Sequence, residues 1–245
     1  AQGARAIAVQ KVRTLAALVL QRRFDHLYIP YADGMLQMLG VMRLNPRFQW
    51  PQDLVIEALL MRGGFAYPKA SRIGGWVNSR ALVQSGAQCI EQRYPALARI
   101  SNLMPDPTPY LAPVERGEAR AALKLPTGRY IGCVGRIDDR KGMDRLIQAF
   151  ARSALRDDDR LLLAGRHTDA IRAQIKAIAD AQVRDRIISI DRYLDNHELL
   201  YATSAIDLMV TPYPAFVGSV SIVARAAMAG RLSLGTDYGW MGYGI

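Results

Sequence analysis

The chain predicts two consecutive α/β domains, each a parallel sheet flanked by helices. Three observations carry this. Short apolar runs of strand length alternate with stretches spaced for one helix face, most regularly between residues 130 and 234. One segment, residues 105–113, holds four prolines in nine positions, and proline fixes φ and withdraws a ladder donor. A length of 245 residues, 50% of them hydrophobic, suffices for one large core or two ordinary ones. The boundary therefore falls in the proline segment, with a first domain over 1–110 and a second over 111–245.

In the first domain, residues 4–21 place Ile7, Val12, Leu15, Leu18 and Val19 along one stripe, predicting an amphipathic helix. A strand over 26–31 runs into Ala32-Asp33-Gly34, a turn that opens a helix around 35–39 with Asp33 as its cap. Residues 54–60 read as the next buried strand, although a run this short also suits a helix. Gly63 to Pro68 form a connection, either a plain loop or a close approach to a ligand. A helix through Ile73, Trp76 and Val77, a strand over 81–85, a helix through Ile90 and a strand over 99–104 complete this half.

The second domain is more regular. Strands are predicted over 130–137, 160–164, 186–190, 208–211 and 232–234. Between them lie helices over 143–155, through Ile171, Ile175 and Ile178, over 198–202 and over 220–229. Such alternation makes a parallel sheet with helices on both faces.

Net charge is +10, from 32 Lys and Arg against 22 Asp and Glu, which favours anionic partners. The charges are scattered and mostly Arg, with no basic tail, zinc-ligand spacing or RNA-binding aromatic signature, so nucleic acid is not expected as a partner. Two cysteines, Cys89 and Cys133, imply no disulfide framework, which suits the cytosol. Cys133 lies within an apolar strand, as a small core residue would. The early apolar run at 15–20 is too short to span a bilayer and is bracketed by Lys11, Arg13, Arg22 and Arg23. The chain starts on Ala and ends on Gly-Ile after a strand-like run, without a further helix, which suggests a piece of a longer protein. A processed or tagged chain would also lack the Met.

The chemistry concentrates in Gly135-Arg136-Ile137-Asp138-Asp139-Arg140-Lys141-Gly142, a strand exit, a basic turn and a helix start. Open parallel sheets bind ligands outside the carboxyl ends of their strands, where a helix amino terminus presents unpaired N–H groups. A single basic loop residue is ordinarily a solvated one. Arg136 and Lys141 together, at such an edge, suit a phosphate or diphosphate. There is no Walker loop and no kinase-type glycine loop, and Gly132-x-x-Gly135 lies within a strand rather than after it. A second small-residue turn, Phe216-Val217-Gly218-Ser219-Val220, either offers N–H groups to a ligand or is a plain helix cap by Ser219.

Residues 130–150, with Val-Gly-Arg-Ile-Asp-Asp-Arg-Lys-Gly-Met-Asp followed by Leu-Ile-Gln-Ala-Phe, resemble the opening of the nucleotide-sugar domain of retaining glycosyltransferases of family 4. The likeness continues in order through Leu161-Leu162-Leu163-Ala164-Gly165, Asp195 to Tyr201, Ala205 to Pro212 and Ala226 to Gly230, covering about 99–240. It implies the GT-B fold, an α/β architecture of two doubly wound, Rossmann-like domains, both incomplete here. It further implies that Arg136 and Lys141 are the catalytic pair, holding the donor diphosphate and offsetting charge as the sugar–phosphate bond breaks. Gly135, Gly165, Gly218 and Ser219 would bring backbone to the donor, and Tyr193 and Leu194 would hold its base. The implied reaction transfers a hexose from a nucleoside diphosphate sugar to a glycan or lipid-linked acceptor hydroxyl with retention. It would run in the cytoplasm, with possible peripheral contact to anionic membrane. No cofactor and no metal is implied, the two basic side chains standing where a cation stands elsewhere.

One departure bears on this. The family pattern has two glutamates eight positions apart, and Val217 and Arg225 occupy those places, with no acidic residue between Asp207 and Asp237. Either Arg225 contacts a phosphate and another group takes the ribose, or the domain binds a sugar nucleotide poorly. A non-catalytic binding or interaction domain and a nucleotide-sugar epimerase remain as alternatives.

Overall fold

The computed structural model describes residues 2–30, 51, 54–60, 79–84, 101–104, 108–153, 156–216, 218, 220–237, 239 and 241–244. The turn at Asp33, the Gly63 connection and the helices through Ile73 and Ile90 lie outside the described residues. Backbone contacts divide the chain into two compact units. The first runs to Asp106; the second comprises Pro107–Phe216 and Val220–Ile245, and 217–219 count with the first.

In the first unit, helix α1 (Gln2–Arg22) precedes strands β1 (His26–Ile29), β2 (Val55–Leu60), β3 (Ser79–Gln84) and β4 (Ser101–Met104). All pairings are parallel, in the order β1-β2-β3-β4. The α1 face that packs inward carries Val12, Ala16 and Val19, spaced at i, i+4 and i+7. Ile7 and Leu18 fall more than 100° round the helix from Val12 at about 100° per residue. They are 59% and 44% exposed, which corrects the wider stripe predicted.

The second unit runs α2 (Arg116–Ala122), β5 (Arg129–Val134), a 3-10 turn (Asp139–Lys141), α3 (Met143–Arg152), β6 (Asp159–Ala164) and α4 (Asp169–Lys176). It continues through α5 (Ala181–Asp185), β7 (Ile187–Ile190), α6 (Asn196–Ala205), β8 (Leu208–Thr211), α7 (Ser221–Met228), β9 (Leu232–Gly235) and α8 (Met241–Gly244). Its sheet is parallel throughout, in the order β7-β6-β5-β8-β9, so the chain winds outward both ways from β5. Side chains alternate across the sheet and feed two cores. Leu161 and Leu163 pack on one face with Met143, Ile147 and Phe150 of α3; Leu162 and Ala164 pack on the other with Ile206 and Ala226.

Local chemistry sets the element ends. β5 stops at Val134, three residues short of the predicted end, because Gly135 takes φ 101° and turns the chain away. Ile137 then pairs only through a single bridge to His167. α6 starts earlier than predicted, because Asp195 and Glu198 form a reciprocal capping box. The short helix α8 corrects the expectation that no helix follows the last strand. β9 is an edge strand, with Leu232 75% and Leu234 56% exposed. Among the described residues, no helix is long and apolar enough to cross a membrane.

Candidate functional site

Outside the carboxyl ends of β5, β6 and β7 lies a cavity of about 780 Å³. Its wall includes Gly135 and Arg136 after β5, Gly165 and Arg166 after β6, and Tyr193 and Leu194 after β7. The volume is that of a small-molecule site, commonly about 300–1,000 Å³.

Glycines bring the backbones together here. Gly165 has φ 135°, and a Cβ on it would come within 1.9 Å of the Gly135 carbonyl oxygen. Below the turn, Gly142 takes φ 73°, and a Cβ there would meet the Pro212 carbonyl oxygen at 2.5 Å. Both positions require glycine, since L side chains rarely adopt such φ and neither has room for one. Gly142 also begins α3, whose start no side chain caps.

Asp138 organises the basic turn. Its carboxylate is buried, accepts from the Lys141 backbone N–H at 3.1 Å, and pairs with Arg136 Nε at 3.1 Å and Arg140 Nη2 at 3.5 Å. Arg136 keeps its side chain 69% exposed toward the cavity. Lys141 folds back. Its Nζ lies 3.6 Å from the place a Cβ of Gly135 would take and 5.2 Å from the Tyr213 ring centroid. The two predicted cations therefore share one turn, Lys141 against the residue preceding Arg136, although Lys141 is not part of the cavity wall. Burial lowers the Lys141 ammonium below its ordinary pKa. Burial pushes the neighbouring Cys133 thiol up to about 11, as suits an unreactive core residue.

The β6 side adds groups not singled out from sequence. His167 is buried, its Nδ1 2.6 Å from the Gly165 carbonyl oxygen, and its backbone N–H donates to Asp191 at 2.8 Å. Arg172 donates from Nε to Asp191 Oδ2 at 2.6 Å and pairs with Asp169 at 2.5 Å. The bond from Arg172 holds the Asp191 carboxyl down to about 2. Arg166 has no carboxylate partner among the described residues. A repeat does mark it in the sequence: Gly165-Arg166 duplicates Gly135-Arg136 at the end of the next strand.

Of the remaining predicted site residues, Tyr193 is 81% exposed and Leu194 5% exposed, and both line the cavity. Arg225, on α7, donates from Nη2 to Asn196 Oδ1 at 2.9 Å and is not part of the wall. Gly218 is buried and likewise outside it; Ser219 and Val217 lie outside the described residues. No group of three or more His, Cys, Asp or Glu suited to a metal occurs among the described residues.

A parallel sheet wound outward both ways, whose carboxyl edge opens on a cavity beside an arginine-bearing turn, defines a doubly wound α/β domain. Residues 128–240 match the family model described as Glycosyl transferases group 1. Solved GT-B glycosyltransferases share the fold. HepE from Anabaena, in complex with UDP and glucose, is 15% identical with a TM-score of 0.61, over 94% of this chain and 64% of that one. Sucrose-phosphate synthase from Thermosynechococcus elongatus is 19% identical with a TM-score of 0.61, over 95% and 61%. A UDP-forming trehalose-phosphate synthase from Burkholderia xenovorans is 12% identical with a TM-score of 0.60, over 99% and 65%. The chain thus spans under two thirds of the length of these structures. No curated protein matches it.

Proposed function

We propose that the chain is part of a retaining glycosyltransferase that moves a hexose from a nucleoside diphosphate sugar to an acceptor hydroxyl. The observation that carries this reading is the cavity itself, whose wall holds Arg136, Tyr193 and Leu194, in a segment that matches the group 1 family model. Arg136 and Lys141 hold the diphosphate, and Leu194 and Tyr193 hold the base. The bond from the anomeric carbon to the diphosphate oxygen breaks as the bond to the acceptor oxygen forms on the same face, and the hydroxyl proton passes to the departing diphosphate. The two cations offset the charge that develops on that leaving group, and preorganised charge of this kind is worth about 3–4 kcal/mol per donor where it has been removed. UDP in HepE suggests a uridine donor as the first to try. The acceptor is a glycan or a lipid-linked sugar, met in the cytoplasm at an anionic membrane surface that the net charge of +10 favours. Co-sedimentation equal with neutral and anionic vesicles would remove that last element.

Calorimetric titration with nucleoside diphosphates tests the donor site. Arg136→Ala is expected to weaken the best of them by roughly tenfold or more, as loss of a charge-assisted bond does. Binding indifferent to that change sinks the donor reading. A second, non-catalytic reading has its own observation: Arg225 stands where the family pattern has a glutamate and is engaged with Asn196. Nucleotide binding with neither sugar transfer nor donor hydrolysis in the full-length protein would favour it.

A further inference from the structure

We propose that Arg166 is a second arginine of the donor site, gripping the phosphate next to the nucleoside while Arg136 grips the outer one. This rests on the donor reading above and adds to it the order in which the ligand lies.

Three observations converge. The β5–β6 register pairs Val134 with Ala164, and the bridge beyond the strands pairs Ile137 with His167, so Arg136 and Arg166 stand opposite each other between them. Hydrogen bonds clasp the two turns there, from Ile137 N–H to the Arg166 carbonyl at 3.0 Å and from Thr168 N–H to the Ile137 carbonyl at 3.2 Å. Adjacent parallel strands run about 4.8 Å apart. Two arginines are therefore carried from facing backbone positions on the wall of one cavity.

Their partners differ. Arg136 is engaged by Asp138, and Arg172 by Asp191 and Asp169, whereas the exposed Arg166 has no carboxylate within reach among the described residues. Two like charges on one cavity wall favour an anion there, and the planar fork of arginine matches a phosphate.

Strand order sets the direction. Tyr193 and Leu194 follow β7, Arg166 follows β6 and Arg136 follows β5, and these strands are neighbours in that order. Base, inner phosphate and outer phosphate then lie over successive strands. Two strand spacings, about 10 Å, match the extent of a nucleoside diphosphate from base to outer phosphate.

The test uses the whole chain and three probes, uridine, UMP and UDP, with the adenosine and guanosine series run if uridine compounds bind less well. Arg166→Ala is expected to weaken the monophosphate and the diphosphate alike by roughly tenfold, leave the nucleoside unchanged, and recover in part in Arg166→Lys. Arg136→Ala is expected to weaken the diphosphate more than the monophosphate. Equal loss for all three probes in Arg166→Ala, or loss for none, overturns the assignment. If Arg136→Ala is also without effect, the donor reading has failed; if only Arg166→Ala is silent, the donor reading stands and this inference falls. Both side chains are exposed, so thermal melts of the variants should superimpose on the parent.

Discussion

Gly165 shows how a single residue type makes the cavity possible. Any Cβ there meets the Gly135 carbonyl oxygen and forces an L residue to φ 135°, so Gly165→Ala is expected to cost about 2–4 kcal/mol and to weaken nucleotide binding with it. A thermal melt within a degree of the parent would contradict the geometry. Lys141 yields a pH prediction. Its pKa is lowered by burial, so the ammonium loses its proton below the ordinary lysine range, and the proposed donor site pairs the diphosphate with the charged form. Diphosphate affinity should therefore fall as pH rises, beginning below 10.5. In the free protein the unfolded chain holds that proton more tightly, so this group adds stability as pH rises through its folded pKa. Titration of UDP between pH 7 and 10 checks the sign; a flat profile would place the ammonium away from the ligand. That Arg136 and Lys141 share one turn was legible in the sequence because eight consecutive residues carry them. Arg166 was not, because its place depends on strand register, and the repeated Gly-Arg exit acquires meaning only once β5 and β6 are known to be neighbours.

At the scale of elements, the strands of the second domain were legible because buried parallel strands are continuous apolar runs, as at Leu161-Leu162-Leu163-Ala164. α2 and α5 were not, since both are short and take their positions from polar bonds rather than from periodicity. α2 is fixed by Asp207, which accepts from Arg116 and Arg120 at 2.6 Å each and from the Tyr130 N–H at 2.7 Å. Burial alone would raise that carboxyl, but the Tyr130 N–H and the two arginines bring it below its ordinary value. Asp207→Ala strands these donors and is expected to destabilise by about 2–3 kcal/mol, with Asp207→Asn costing less because an amide oxygen still serves Tyr130. Since the folded pKa is depressed, this contribution is present above the unfolded carboxylate value and lost as pH falls through the folded one. Denaturant midpoints of the two variants at pH 7 and pH 3 would show it; equal differences at both pH values would not fit.

At the scale of the molecule, the second unit contains everything a domain needs. It has a five-stranded parallel sheet and a packed core on each face, and every residue of the cavity wall lies between Gly135 and Leu199. A domain with its own core can fold alone. Residues 107–245 expressed separately are therefore expected to unfold in one cooperative thermal transition. The exposed Leu232 and Leu234 on the β9 edge are the feature most prone to cause self-association, so Leu232→Lys is the variant that should keep the fragment monomeric. Because Arg136, Arg166, Tyr193 and Leu194 all reside in it, the fragment should hold a nucleoside diphosphate within about tenfold of the whole chain's affinity, a difference of about 1.4 kcal/mol. A fragment that melts cooperatively yet has lost that affinity would show that residues before 107 supply a main part of donor binding, and the strand-by-strand placement of base and phosphates would have to be redrawn around them.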